Sequence, residues 1–126
     1  MDRSDDGIFM YKQVDELKFV QLFANKKLKK LVNFESDESK IDLAYINMPY
    51  LQHQSDDNTS LVTLNHIMEN ETLYVKKQKM RVHAVDSTVV TECLVNLEIF
   101  ENGEHSFRIL KFVDLTFLNE LEAVSK

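Results

Sequence analysis

The sequence predicts one mainly β domain with helices, an α+β fold. Three observations lead there. Residues 93–113 alternate apolar and polar side chains around Glu101-Asn102-Gly103, the pattern of an antiparallel hairpin. The 126-residue length suits one compact domain and is short for two. The chain is 44% hydrophobic and 29% charged, the composition of a folded globule and not of a disordered tail.

Taken along the chain, residues 1–12 read as a frayed N-terminus that opens acidic and polar, MDRSDDG. Val14, Leu17, Val20 and Ala24 then recur near a helical period, with Phe19, Leu22 and Phe23 widening the stripe. A helix is expected over about 14–24. The stripe also runs on to Leu28 and Leu31, but KKLVNF, ESDESK and IDLAYI read better as two strands around a polar turn. Residues 47–60, NMPYLQHQSDDNTS, hold the only Pro and a polar cluster, which suggests a long loop. LVTLNHI (61–67) fits a helix or a strand, and MENE (68–71) is a break. Residues 72–85 alternate but change phase near Lys77-Gln78-Lys79, as a strand with a bulge or short turn would. Asp86-Ser87 is a turn candidate.

The last hairpin permits a register test on paper. A two-residue Asn-Gly turn pairs Glu98 with Phe107 and mixes polar with apolar on both faces. A three-residue loop, Glu101-Asn102-Gly103, pairs Leu97 with Phe107 and Val95 with Ile109, and sets Asn96 opposite Arg108. That register gives one apolar and one polar face, with Gly103 supplying a positive φ. After Val113 the period changes. Leu115, Leu118 and Leu121 lie three apart, flanked by Phe117 and Val124, so a short C-terminal helix is expected, capped by Asp114 or Thr116.

Composition narrows function. With 2 Gly and 1 Pro, against an average expectation of roughly 9 and roughly 6, Gly-rich phosphate loops are excluded. The single cysteine, Cys93, forms no internal disulfide and fits a reducing compartment such as nucleus or cytosol. No apolar stretch resembles a signal peptide or approaches the roughly 18 residues of a membrane span, so no membrane role is expected. A net charge of −6 makes the chain a poor stand-alone binder of phosphate backbone.

Chemistry does not announce itself. His53, His66, His83 and His105 share no metal-ligand spacing, and Cys93 sits on the apolar parity of a strand, as a buried inert thiol does. Asp15-Glu16, Asp37-Glu38 and Asp56-Asp57 read as solvated charge. No enzyme, cofactor, metal or small-molecule substrate is expected. Two basic clusters remain. One is Lys26, Lys27, Lys29 and Lys30, near Phe34 and Tyr45; the other is Lys76, Lys77, Lys79 and Arg81, beside Tyr74. Basic residues with interleaved aromatics suit a single-strand groove, and lysines on strand edges also block aggregation.

The stretch CLVNLEIFENGEHSFRILKFVDLTFLNELEAV, residues 93–124, resembles the end of small oligonucleotide/oligosaccharide-binding (OB) fold subunits. The families are the smallest subunit of replication protein A and the smallest subunit of the telomeric CST complex. There a last hairpin closes a five-stranded barrel, and a Val-Asp-Leu-like link enters a helix that docks on a larger OB subunit. The usual first-strand Gly is absent, with Val32 and Asn33 standing roughly in its place. A pleckstrin-homology-like (PH-like) barrel also ends strand-then-helix. The resemblance implies a nuclear, non-enzymatic accessory subunit that docks through Leu115, Phe117, Leu118, Leu121 and Val124 and meets single-stranded nucleic acid mainly through its partner. The other reading is a protein-interaction module of PH-like or other α+β fold with no nucleic-acid role.

Overall fold

The computed structural model describes residues 6–15, 18–36, 38–53 and 60–115. Strands make up 53% of them, and a curled antiparallel sheet forms a half-barrel. In chain order the elements are β1 (Asp6–Asp15), β2 (Lys18–Ala24), α1 (Lys26–Val32), α2 (Leu43–Ile46), β3 (Pro49–His53), β4 (Leu61–Thr63), α3 (Leu64–Glu69), α4 (Glu71–Tyr74), β5 (Gln78–His83), β6 (Val90–Asn102) and β7 (His105–Asp114). The sheet order is β2-β1-β7-β6-β5-β3-β4.

The mainly β expectation holds. The five-stranded barrel does not, because the described residues form a sheet of seven strands. The C-terminal helix lies outside the described residues except for Leu115, which follows β7.

The first half of the chain departs most from expectation. Residues 6–12, expected to fray, lie deep in the sheet, paired with β7 on one side and β2 on the other. The helix expected over 14–24 is instead the end of β1 and all of β2. Its wide apolar stripe arises because a strand with apolar residues on both faces also satisfies a loose helical period. The strand expected from Lys27 to Phe34 is α1. Asn25 decides this locally: its Oδ1 accepts from Leu28 N–H at 3.0 Å, which caps the helix. The same oxygen accepts from Ile8 N–H at 2.9 Å, and Nδ2 donates to the Asp6 carbonyl at 2.7 Å, tying the helix start to β1. Asn33 ends the helix with φ 62°. The strand expected in IDLAYI is a short turn of helix, α2, and the long loop of 47–60 contains β3. The phase change at Lys77 is a change of element, from α4 to β5, and not a bulge. The turn at Asp86 is present, with φ 55°.

The β6–β7 hairpin keeps its Gly103, at φ 62°, but in another register. Asn102 pairs with His105, so Gly103-Glu104 form a two-residue turn of type II′ character. Leu97 faces Leu110 and Val95 faces Phe112, instead of Phe107 and Ile109. This moves β7 by an odd number of residues, and every β7 side chain changes face. Leu110 and Phe112 enter the core, and Phe107, Ile109 and Val113 turn outward.

The core fills the concave side. Phe9, Tyr11, Val95, Leu97, Leu110 and Phe112 rise from the sheet, all essentially inaccessible. Leu28, Leu31 and Val32 of α1, Leu64 and Ile67 of α3, and Tyr74 of α4 complete it. The approach of α1 depends on Gly7. A Cβ there would lie 3.1 Å from Leu31 Cδ1, 3.2 Å from Phe112 Cβ and 3.4 Å from Leu28 Cα. Gly7→Val is expected to push α1 off β1 and destabilise by about 1–3 kcal/mol, read as a lower urea midpoint. An unchanged midpoint would show that the helix seat is looser than the geometry requires.

Candidate functional site

Two regions hold the side chains that need a functional explanation. The first is a polar cluster buried on the concave face. Arg108 is 7% exposed. Its Nε donates to Glu71 Oε2 at 2.7 Å, Nη2 to Gln13 Oε1 at 2.8 Å and Nη1 to Ser106 Oγ at 2.7 Å. Tyr11 donates its hydroxyl to the same Glu71 oxygen at 2.8 Å. Burial, then the Glu71 hydrogen bond and charge, push the Tyr11 phenol far up, so it stays a donor. The cluster joins β1, α4 and β7. All three guanidinium nitrogens donate to groups of this chain, which describes an anchor.

A second buried ion pair sits at the other end of β7. Lys27 Nζ of α1 meets Asp114 Oδ2 at 2.8 Å, with Cys93 opposite Asp114 across the hairpin. Burial, then the Asp114 charge, raise the Cys93 thiol to about 12, against a lowering by Lys27. A thiol so held is a poor nucleophile at neutral pH. His53 Nε2 lies 2.8 Å from the Tyr74 hydroxyl, and the His66 ring meets Tyr74 edge-on. Among the described residues no group of three His, Cys, Asp or Glu side chains is arranged to hold a metal ion.

The second region is the convex face of the sheet. The helices that contact the sheet through α1 and α4 lie on the concave side, with Leu28 and Leu31 beside Gly7 and Glu71 beside Arg108. Register places two cross-strand rows on the other face. One runs Phe23, Met10, Ile109, Glu98; the next runs Val20, Lys12, Phe107, Phe100. Phe23, Val20 and Phe100 are 40%, 42% and 47% exposed, and Met10, Phe107 and Ile109 are half-buried. Toward the far end the next row on this face is Ile8, Lys111, Asn96, which interrupts the apolar surface before the last row, Asp6, Val113, Leu94, Lys79. A solvated sheet face normally carries polar residues; a contiguous aromatic and aliphatic one marks an interaction surface.

The sequence-derived site residues fare differently. Leu115 is half-buried just after β7; Phe117, Leu118, Leu121 and Val124 lie outside the described residues. Tyr74 is fully buried, so its ring offers no stacking face, which corrects its place among candidate nucleic-acid contacts. Lys76, Lys77 and Lys79 are exposed, and Arg81 sits 3.9 Å from Glu92 across the β5–β6 pair. The first basic cluster disperses around α1: Lys27 pairs with Asp114, and Lys29 is buried with Nζ 3.3 Å from the Ser36 carbonyl. The convex-face residues went unnoticed in sequence because Val20 and Phe23 lay in an expected helix and Phe107 in an expected core. Compared with known proteins, the chain matches no family model and has no significant sequence match among curated proteins.

Two outcomes are expected. Glu71→Ala leaves the Arg108 guanidinium buried without its counter-charge and should cost about 3–5 kcal/mol in urea unfolding. Adding Arg108→Met should recover much of it; strictly additive losses would show that the two residues are not coupled. The second outcome concerns alkali. Burial holds the Tyr74 phenol at about 12 against an ordinary 10.0, and Cys93 at about 12 against 9.0. Both bind their protons more tightly folded than unfolded, so their contribution is complete below pH 9 and is lost as pH rises toward 12. Urea midpoints should fall between pH 9 and pH 11, and less steeply in Cys93→Ala.

Proposed function

We propose that the chain is a non-enzymatic accessory domain that docks the convex face of its sheet on a larger protein. The observation that carries this reading is the pair of rows through Phe23, Met10 and Ile109 and through Val20, Phe107 and Phe100. Several such side chains desolvated together, at about 1.5–3 kcal/mol each when fully buried, suffice for a stable interface. The sequence stripe of Leu115, Phe117, Leu118, Leu121 and Val124 is the second docking element in this reading; of these, Leu115 follows β7 directly and the others lie outside the described residues. The likeness of residues 93–124 to small OB-fold subunits makes a nuclear, single-stranded-nucleic-acid-binding OB protein the first partner to seek. In that reading Lys76, Lys77, Lys79 and Arg81 add weak, salt-sensitive contacts to the strand. The other reading is the same docking domain with a partner unconnected to nucleic acid.

Mass spectrometry of what co-purifies with the tagged chain from its own cells tests both. A stoichiometric larger protein is expected, and its identity separates the two readings. Phe23→Asp with Phe100→Asp should reduce its recovery at least tenfold while circular dichroism stays unchanged. Leu118→Asp with Leu121→Asp reports separately on the C-terminal stripe. Full recovery in both variants would end the docking proposal.

A further inference from the structure

The edge strand β2 carries a feature that convex-face docking does not use. Part of its outer edge already has a surrogate partner. Ala24 N–H donates to the Ser39 carbonyl at 2.7 Å. The Gln21 side-chain amide then takes both backbone groups of Ile41, donating from Nε2 to the carbonyl at 2.9 Å and accepting at Oε1 from N–H at 2.6 Å. A side-chain amide thus does for Ile41 what a neighbouring strand's peptide group does. Before Gln21 the segment no longer follows the strand. Among the described residues, Ala24 to Ser39 is the one backbone–backbone bond recorded between β2 and that segment.

Where the two part, a cleft of about 610 Å³ opens along β2. Lys18 and Phe19 form one wall, Leu43 and Ile46 of α2 the other, and Met68 of α3 closes the floor. Leu43 is 68% exposed, a large apolar side chain held at the mouth. Lys18 and Lys40 stand exposed on the rim, with Glu38 as the opposing charge. Neither lysine is in an ion pair among the described residues. The rim is therefore net basic on a chain of net charge −6.

We infer that this cleft receives an extended peptide segment of a partner protein, which adds to β2 as an eighth strand. The segment places an apolar side chain between Phe19, Leu43 and Met68 and acidic side chains beside Lys18 and Lys40. Strand addition draws affinity from main-chain hydrogen bonds and specificity from pockets for alternate side chains. The Lys18–Val20 edge, which has no further strand beside it among the described residues, and the apolar cleft next to it supply both. The cleft length along Lys18–Gln21 suits about four residues of added strand.

The test is selection of a random twelve-residue phage-displayed library on the full chain, with enriched peptides resynthesised. Enriched peptides should alternate apolar and acidic residues. Bound to the ¹⁵N-labelled chain, they should shift the amides of Lys18–Gln21 and Leu43 and leave Phe100 and Phe107 unmoved. Lys18→Glu with Lys40→Glu, two exposed positions that leave the core intact, should weaken binding at least tenfold. Leu43→Asp should do the same by placing a charge at the mouth. N-methylation of alternate peptide amides should abolish binding. No enrichment over an uncoated surface, shifts confined to the convex face, or affinity indifferent to N-methylation and to both variants would each overturn the inference. Convex-face docking is read from Phe23→Asp with Phe100→Asp, so the two proposals fail separately.

Discussion

The register of β7 in the hairpin with β6 sets most of what surrounds it. With Gly103 as the first residue of a two-residue turn, even-numbered positions of β7 point into the half-barrel. Two of these, Arg108 and Asp114, are charged. A charge taken out of water needs a counter-charge and hydrogen bonds. Arg108 finds Glu71, Gln13 and Ser106; Asp114 finds Lys27. These partners fix α4 and α1 against the sheet at opposite ends of one strand. The arrangement selects position more than it adds stability, because an ion pair of this kind is strongly missed when broken yet contributes little net.

The same register explains the two-sided character of the sheet. Turning Arg108 and Asp114 inward turns Phe107, Ile109 and Val113 outward, where β1 supplies Ile8 and Met10 and β2 supplies Phe23. The convex face therefore carries Phe107, Ile109 and Val113 alongside Lys12, Lys111, Asn96 and Glu98, a mixed face with an apolar part around Phe23, Met10, Ile109 and Phe107. The structure thus departs from the simple division of polar outside and apolar inside that sequence reasoning assumes.

That assumption marks where the sequence was legible. The last two strands, the positive φ of Gly103 and the turn at Asp86 follow from alternation and turn chemistry, which are local. The hairpin register was not legible, since a rule demanding one polar face rejects an inward Arg108 whose partner lies 37 residues away on α4. Residues 6–24 were misread because β1 and β2 carry apolar side chains on both faces, and α1 was misread because KKLVNF was taken as a strand beside the polar turn while the cap that starts the helix, Asn25, lies upstream of it. For the site, the exposed Lys76, Lys77 and Lys79 were legible as charge. The burial of Tyr74 was not, because it depends on α4 folding under the sheet. The convex rows and the β2 cleft arise only from strand order, which no local window contains.

Strand order also governs how the chain comes together in time. β1 sits between β2 and β7, and Lys12 pairs with Phe107, about 95 residues further on. During synthesis at about 5–20 residues per second, the first hairpin waits roughly 5–20 seconds for its inner neighbour. Through that interval the β1 side of the β1–β2 ribbon lacks its neighbour, and Phe9 and Tyr11 have no Leu110 and Phe112 to meet. A two-stranded ribbon is marginal in water by itself. The sheet is therefore completed only once β7 has been made, and until then residues 6–24 stand without the strand that covers them.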